Sequence, residues 1–513
     1  MRNILGREIP KYIEGYGRTK LFKGAFESLG EVQKTSVNIK SAVPGKSKIL
    51  KSIKEAVDAC NIKDGMTISF HHHLRNGDYV LNMVLDEIAK WGIKDIKVAA
   101  SSIFPVHSPL VEHIENGVVT GIYANYMSGP VAEAVSKGLL KYPAIMHTHG
   151  GRARAIEAGD LLIDVAFIAA PACDTYGNVN GVAGKTACGS LGYAIPDAMY
   201  GKKVVAITDH LVAYPICPIE ISQEYIDYIV NVDSIGDAKG IVSGTTKITK
   251  DPVGLKIAKM TSKVIEVSGL LQDGFSFQTG AGGTSLAVAS YVKELMKKKN
   301  IQGSFAAGGI TGYIVEMFKE GLFKCLFDVQ CFDLKAIESY TNNKEHQGMS
   351  ASMYGNPHNK GAVVNNLDVM ILGATEIDTG FNVNVTTGSN GIIMGGSGGH
   401  SDTAAGAKLV IVVTQLIKGR LPIVVDRVTT VTTPGETIDV LVTERGIAVN
   451  PKRQDLIERL KKTNLSIMTI EELKQLAEEM TGIPKKIEND HKLVAVVEYR
   501  DGTVIDVVRR IKD

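Results

Sequence analysis

A glycine-rich turn in the middle of the chain joins a strand to a helix, over residues 276–285. The centre of the turn is Gly280, Ala281, Gly282 and Gly283. Backbone N–H groups at such a turn, together with the positive end of the helix dipole, bind phosphate, carboxylate or a developing oxyanion. We therefore predict that Gly280, Gly282 and Gly283 are catalytic and stabilise an oxyanion. The alternative is a tight turn that holds no ligand.

Three consecutive histidines, His71, His72 and His73, occupy the equivalent place in the first half of the chain, followed by Arg75 and Asn76. Strand alternation sends His71 and His73 to one side and His72 to the other. No carboxylate or thiol stands at a suitable spacing, so no metal is predicted. We predict a polar, partly cationic strand end that binds an anionic substrate. Histidines hydrogen-bonded within a core are the alternative.

A second cationic segment contains Arg152 and Arg154, which follow two histidines and two glycines at residues 147–151. Arginines at positions i and i+2 can each bind a carboxylate through two parallel hydrogen bonds. The segment is therefore predicted to bind substrate. A solvated loop is the alternative.

Six glycines stand among residues 388–399, a composition suited to surrounding a ligand. The run closes with Gly395, Gly396, Gly398 and Gly399, and His400 follows. Residues 395–399 also fit the G-x-S-x-G pattern of serine hydrolases. No strand precedes that pattern, however, and triad members normally come from separated segments. The segment is therefore interpreted as a ligand cradle.

Strands alternate with helices from Lys46 to about residue 425, which predicts α/β domains with largely parallel sheets covered on both faces. The Asp-Gly turn at residue 64 recurs at residue 273, and the Asn-Val-Asn at residue 178 recurs at residue 382. These offsets of 209 and 204 residues indicate two tandem α/β halves. A site shared by the halves would lie where their strand ends face each other.

We divide the chain into an N-terminal arm (1–45), a first α/β domain (46–240) and a second α/β domain (250–513). The second domain carries a C-terminal helical and hairpin extension, with a turn at Asp501 and Gly502. The arm is rich in glycine and proline, so we expect it to lie across a partner or the second half.

Composition excludes several classes of protein. A net charge of +2 over 513 residues argues against a nucleic-acid binder. No apolar run approaches the length of a membrane span, and the first residues lack the apolar region of a signal peptide. Six scattered cysteines without a CxxC pair indicate a reducing compartment. We expect a cytoplasmic protein.

Several segments together resemble the citrate lyase alpha subunit family, within the coenzyme A transferase superfamily. They are HHHLRNGDYVLN, MHTHGGRARAIEAGD, SFQTGAGGTSLAV, GGSGGHSDTAAGAKL and VTERGIAVNPKR. The resemblance covers essentially the full length and implies two tandem transferase-type α/β domains. It also implies exchange of acetate for citrate on the thioester of an acyl carrier protein, with free acetyl-coenzyme A as another donor.

The resemblance further implies partners and roles for the candidate residues. The partners would be the beta subunit, the gamma subunit (the acyl carrier protein) and further copies of this chain in a larger complex. The carrier's prosthetic group would derive from dephospho-coenzyme A, and no cofactor would be bound covalently to this chain. Arg75, Arg152, Arg154 and the histidines would hold citrate. The thioester would lie in the cradle of residues 395–400.

One departure from the superfamily concerns mechanism. Many relatives use a glutamate that becomes a covalent thioester, but residues 303–311 here contain no acid. A mixed citryl–acetyl anhydride is then the natural route. Two alternatives stay open: a coenzyme A transferase with Glu376 or Glu444 as nucleophile, and a non-catalytic anion-binding subunit.

Overall fold

A computed structural model of the chain describes residues 1–27, 30–36, 41–242, 248–280, 282–485 and 487–512. Its helices are α1 Ile53–Ala59, α2 Val80–Lys90, α3 Leu110–Glu115, α4 Pro130–Ser136, α5 His149–Ala158, α6 Ala194–Tyr200, α7 Pro252–Ser268, α8 Gly283–Lys299, α9 Gly312–Lys319, α10 Leu334–Asn342, α11 Ala351–Gly355, α12 His400–Gly406, α13 Gln454–Leu460 and α14 Ile470–Thr481. No helix of the described residues is long and apolar enough to cross a membrane.

The strands up to residue 231 are β1 Tyr12–Ile13, β2 Gly17–Arg18, β3 Ile49–Leu50, β4 Thr67–Phe70, β5 Ile96–Ala100, β6 Val119–Ala124, β7 Ala144–Met146, β8 Val165–Ala170, β9 Ala172–Asp174, β10 Val179–Asn180, β11 Val204–Thr208, β12 Leu211–Val212 and β13 Tyr228–Asn231. The later strands are β14 Ser276–Thr279, β15 Gly303–Ile310, β16 Phe323–Cys331, β17 His346–Gly348, β18 Val369–Leu372, β19 Glu376–Asp378, β20 Val383–Asn384, β21 Leu409–Val413, β22 Ile417–Lys418, β23 Leu421–Pro422, β24 Val424–Val425, β25 Val440–Val442, β26 Ile447–Val449, β27 Asn489–Glu498 and β28 Val504–Ile511.

Two large sheets form the centres of two units. The first has the order β28-β27-β7-β6-β5-β4-β8-β11-β13-β3, and the second has the order β17-β16-β15-β14-β18-β21-β25-β26. Between β7 and β3, and between β17 and β25, neighbouring strands run parallel. The run β6-β5-β4-β8-β11 in the first sheet matches β16-β15-β14-β18-β21 in the second. The structure therefore has the tandem α/β architecture that the repeats predict.

The C-terminal hairpin departs from the division predicted at residue 250. Strand β27 pairs parallel with β7 of the first sheet, with Ala495 opposite Ala144 and Val497 opposite Met146. Residues 489–511 thus extend the first unit's sheet, although they follow the second unit in sequence. The apolar runs of the hairpin predict strands, but they do not identify the sheet edge that the strands will join.

The N-terminal arm lies across this hairpin. The Phe22 and Tyr499 rings pack edge to face with centroids 4.9 Å apart, and the Tyr16 hydroxyl donates to Glu498 Oε1 at 2.7 Å. The arm also reaches the second unit, where Arg7 Nη2 donates to Val428 O at 2.7 Å. The arm therefore contacts both the hairpin, which belongs to the first unit's sheet, and the second unit.

Candidate functional site

The three histidines after β4 are buried, and two of them are held within the first unit. His71 Nε2 accepts from Ala169 N at 2.8 Å, and His73 Nε2 accepts from Tyr193 N at 3.2 Å. The Nδ1 atoms of these two histidines contact each other. Burial lowers the pKa of His71 to about 4 and that of His73 well below its usual range. Both are therefore neutral near pH 7, and the positive charge expected of them is absent because burial disfavours the charged form.

His72 belongs to a group of stacked rings at the boundary between the two units. Its ring centroid lies 4.4 Å from that of Tyr193 and 5.6 Å from that of His149. Its Nδ1 lies 2.5 Å from Ser101 Oγ. From the second unit, Gln330 Nε2 donates to the His72 carbonyl at 2.9 Å. The predicted histidine segment is thus in direct contact with the second unit.

His149 is a member of this group that we did not predict as a ligand. It is the first residue of α5, and its Nδ1 accepts from Asn125 Nδ2 at 2.9 Å. The neutral ring therefore carries its proton on Nε2. Burial, reinforced by Arg152, lowers the His149 pKa to about 3, so the ring stays neutral. Its place before two glycines at a helix N-terminus is the sequence signal that could have identified it.

The glycine run 395–399 of the second unit lies directly against His149. The Gly398 carbonyl accepts from His149 N at 2.8 Å, and Gly398 N donates to Asn125 O at 3.1 Å. A Cβ on Gly398 would lie 3.3 Å from His149 Nε2, and one on Gly396 would lie 2.3 Å from Asn125 O. The structure thus brings this cradle together with the histidine segment, and glycine permits the close approach.

Gly395 and Gly399 are similarly confined. A Cβ would lie 2.3 Å from Val385 O at Gly395 and 2.2 Å from the Tyr354 hydroxyl at Gly399. His400 points elsewhere, because its Nδ1 lies 2.7 Å from Thr433 Oγ1 and its Nε2 lies 3.0 Å from Gly373 O. Both nitrogens of His400 are therefore engaged in hydrogen bonds within the second unit.

A buried carboxylate of the second unit holds the start of α5. Asp402 Oδ1 accepts from Thr148 Oγ1, and Asp402 Oδ2 accepts from Gly150 N, both at 2.8 Å. Arg500 Nε of the hairpin lies 3.6 Å from Asp402 Oδ1. Burial raises the Asp402 pKa to about 6. Since Asp402 bonds to Thr148 and His400 bonds to Thr433, these residues do not form a hydrolase triad.

Arg75 is the predicted ligand whose charge is available at the unit boundary. Its guanidinium carbon lies 4.7 Å from the Phe332 ring centroid and 5.6 Å from that of Phe104. Its Nη1 is buried without a hydrogen-bond partner, and no carboxylate of the described residues lies within 4.0 Å of the guanidinium. Burial lowers the Arg75 pKa. The neighbouring Asn76 accepts from Val106 N at 3.0 Å and positions the loop.

Arg152 and Arg154, both predicted to bind substrate, are ion-paired with carboxylates of the first unit, and the buried Nε atom of each lacks a hydrogen-bond partner among the described residues. Arg152 forms two hydrogen bonds to Asp197, at 2.7 and 3.0 Å. Arg154 Nη1 donates to Asp160 Oδ2 at 2.6 Å. The side chain of Arg152 is only 3% exposed and that of Arg154 only 5%. Asp197 lies 45 residues along the chain from Arg152, so the sequence pattern did not reveal this pair.

The turn predicted to stabilise an oxyanion is described on both sides of Ala281, and Ala281 itself lies outside the described residues. Gly280 N donates to Ile371 O at 2.9 Å, so this amide is not available to a ligand. Gly282 precedes α8 with φ of −72°, and a Cβ there would lie 3.8 Å from Ser285 Oγ. The backbone at Gly282 therefore does not require positive φ. The amides of Gly282 and Gly283 still begin a helix, where N–H groups lack intrahelical partners.

The alternative glutamate nucleophiles are engaged in structural contacts. Glu376 Oε2 accepts from Thr429 N at 2.7 Å, and Glu444 Oε2 accepts from Leu416 N at 3.0 Å. Neither glutamate has a hydrogen bond or ion pair with the stacked rings around His149 among the described residues.

One group with metal-ligating side chains lies outside this site. The ligand atoms of Asp328, Cys331 and His346 lie within 4.8 Å of one another and are buried. Asp328 Oδ2 lies 3.0 Å from both His346 Nε2 and Cys331 Sγ. The three groups thus satisfy one another by hydrogen bonding. Sequence spacing did not reveal the group because its members come from β16 and β17.

Comparisons with known proteins identify the family. The family model described as citrate lyase, alpha subunit (CitF), matches residues 46–511. The citrate lyase alpha chain of Haemophilus influenzae is 52% identical over 466 residues, covering 91% of this chain and 93% of that one. The corresponding chain of Escherichia coli K12 is 49% identical and covers 91% of both chains.

Solved structures agree with this family match. The crystal structure of the alpha subunit of citrate lyase from Streptococcus mutans, in complex with citrate, is 51% identical with a TM-score of 0.96 and covers 100% of both chains. A Pseudomonas malonate decarboxylase hetero-tetramer in complex with malonate is 17% identical with a TM-score of 0.64, covering 85% of this chain and 86% of that one. At this lower identity, the likeness shows the fold alone. The chain belongs to the citrate lyase alpha subunit family and is an enzyme subunit.

Proposed function

We propose that this chain exchanges acetate for citrate on an acetyl thioester, producing a citryl thioester and acetate. The observation that carries the proposal is the presence of two hydrogen-bond donors at the unit boundary. Arg75 has a buried guanidinium nitrogen without a protein partner, and neutral His149 carries a proton on Nε2 beside the glycine cradle. A cation and a neutral donor suit a carboxylate substrate and a carbonyl oxygen that becomes negative. The Streptococcus mutans relative with bound citrate supports this choice of substrate.

The reaction proceeds through a mixed citryl–acetyl anhydride. A citrate carboxylate oxygen attacks the acetyl carbonyl carbon, the C–S bond breaks, and the thiolate leaves. The thiolate then attacks the citryl carbonyl carbon of the anhydride, and acetate leaves. Arg75 would hold a citrate carboxylate, while His149 Nε2–H would donate to the carbonyl oxygen. The cradle of residues 395–399 would hold the thioester close to both, so that proximity supplies much of the rate.

The proposal includes an acyl carrier protein with a prosthetic group derived from dephospho-coenzyme A, and the beta and gamma subunits as partners.

No carboxylate lies in residues 303–311, which form β15 and the residue after it. All six cysteines are unpaired, in keeping with the reducing cytoplasm that we expect.

Isotope exchange tests the reaction. Purified chain is incubated with acetyl-coenzyme A and citrate, and labelled acetate is followed into the thioester. Exchange that requires citrate supports the proposal, whereas exchange without citrate supports a glutamate-dependent transferase. No exchange, in a protein that binds citrate, supports a non-catalytic subunit. Borohydride reduction followed by mass spectrometry should leave the chain unmodified. A stoichiometric mass change at Glu376 or Glu444 would rule out the anhydride route.

A further inference from the structure

A cavity of about 270 Å³ lies between the N-terminal arm, the C-terminal hairpin and the second unit. Its charged lining residues are Arg2, Arg7, Arg427, Arg509, Glu8 and Asp506. It shares no residue with the predicted citrate or thioester site. The three segments are brought together only by the fold, since residues 2–8 and 506–509 lie at opposite ends of the chain.

Two of the four arginines are neutralised within the cavity wall. Arg7 Nε lies 3.1 Å from Asp506 Oδ2, and Arg2 Nη2 lies 3.1 Å from Glu8 Oε1. The pair of Arg7 and Asp506 is almost completely buried, with side-chain exposures of 12% and 6%. The Asp506 carboxylate is thus ion-paired with Arg7 in the cavity wall, and Arg427 interacts with it only at longer range.

The other two arginines have backbone contacts only. Arg427 Nη2 donates to Gly6 O at 2.8 Å, and Arg509 Nη1 donates to His491 O at 3.5 Å. Within the described part of the chain, neither guanidinium has a carboxylate within 4.0 Å. The cavity thus carries two more positive charges than negative ones. Its remaining guanidinium N–H groups can donate in parallel pairs to an oxyanion.

We propose that this cavity binds a small phosphate-bearing ligand, as inorganic phosphate or a phosphate monoester. A phosphate monoester carries a charge of about −1.5 to −2 at pH 7, which matches the two surplus arginines. Arginine forks fit its oxygens in bidentate geometry. The volume lies just below the range of about 300–1,000 Å³ that is usual for drug-sized ligands, which favours a small ester. Bound ligand would link the arm, the hairpin and the second unit.

Titration calorimetry of the full chain with inorganic phosphate, in a buffer without other oxyanions, tests the proposal. We expect one saturable site per chain, and we expect phosphate to raise the melting temperature, since a ligand of the native state stabilises it. The double variant Arg427→Gln/Arg509→Gln should bind phosphate at least about ten-fold more weakly. Arg18→Gln/Arg445→Gln is the matched control, because it removes the same charge from exposed arginines outside the cavity.

Several results would overturn the phosphate proposal. Absence of saturable binding up to about 10 mM phosphate overturns the proposal, as does equal weakening in the cavity and control variants. Citrate binding as tight as phosphate binding, and lost in the same double variant, would show that the cavity selects carboxylates and that the phosphate class is wrong. If the double variant does not fold, Arg509→Gln alone provides the test, because Arg509 has the longer contact. Isotope exchange in the cavity variant tests the transferase proposal separately.

Discussion

The Asp402 carboxylate of the second unit accepts a hydrogen bond of 2.8 Å from the Thr148 hydroxyl of the first unit. Thr148 caps α5 by accepting from Gly151 N at 2.7 Å, and His149 is the first residue of that helix. The position of His149 therefore depends on a residue from the other unit. This contact makes the candidate site a joint product of both halves of the chain.

We expect Asp402→Asn to change how stability depends on pH. Burial raises the Asp402 pKa from 3.8 to about 6, so the folded chain keeps this proton after the unfolded chain has lost it. The proton bound to Asp402 in the folded chain therefore contributes to the free energy of unfolding. This contribution is greatest below pH 3.8 and declines as the pH rises through about 6. The advantage of wild type over Asp402→Asn should therefore shrink between pH 4 and pH 7. Urea unfolding of both proteins across that range checks this, and a constant difference would contradict it.

Arg75→Gln should raise the apparent citrate constant about ten-fold or more, because a hydrogen bond to a charged group contributes about 1.5–3 kcal/mol. Steady-state kinetics over a citrate series measures this. Arg152→Gln is the contrasting variant, since it leaves Asp197 buried without its partner and should lower stability by about 3–5 kcal/mol. Normal citrate dependence in a folded Arg75→Gln protein would place the carboxylate site elsewhere.

His149→Phe should retain the stacked ring but lose the Nε2 donor, so turnover should fall by about 10²–10³. The His149 pKa of about 3 means that the ring does not gain a proton between pH 5 and pH 8. The rate of the wild-type enzyme should therefore show no ionisation of His149 in that range. Rates measured across this range test both statements. Full turnover by a folded His149→Phe protein would remove His149 from the mechanism.

Gly282→Val should fold, because φ at this position is −72° and the nearest atom to an added Cβ is 3.8 Å away. If the turn stabilises an oxyanion, the bulky side chain should nevertheless remove most turnover by blocking approach to the helix N-terminus. Circular dichroism and exchange rates measured together separate folding from activity. Wild-type turnover would show that the turn is structural, and the carbonyl site would then be assigned to residues 395–399.

The carrier protein is expected to dock on the end of α8, at Lys297, Lys298 and Lys299. The structure pairs Lys297 with Glu320 and Lys299 with Glu266, both at 2.9 Å, so part of the positive charge is already neutralised. Reversing the three lysine charges should slow turnover with the carrier and weaken its dependence on salt, without affecting free acetyl-coenzyme A. Equal loss with both donors would show that docking occurs on another surface.

Local sequence patterns were sufficient for the class of fold. The recurrence of the Asp-Gly turn and of the Asn-Val-Asn, with alternating strands and helices between them, predicts two tandem units, and the sheets share a strand order. The glycine run in the sequence also predicted the cradle of residues 395–399, which contacts His149 in the structure. Such features are readable because backbone periodicity and turn geometry depend on neighbouring residues.

Tertiary structure alone decided which polar groups are available and where the chain ends pack. Arg75 and Arg152 both follow histidines within a few residues in sequence, but Asp197 neutralises only Arg152. The hairpin of residues 489–511 joined the first sheet, and Asp402 was placed against Thr148. These partners are distant in sequence, so each pairing depends on how whole sheets and loops pack. Burial then sets the pKa values of His149 and Asp402, because the cost of charge depends on the surrounding fold.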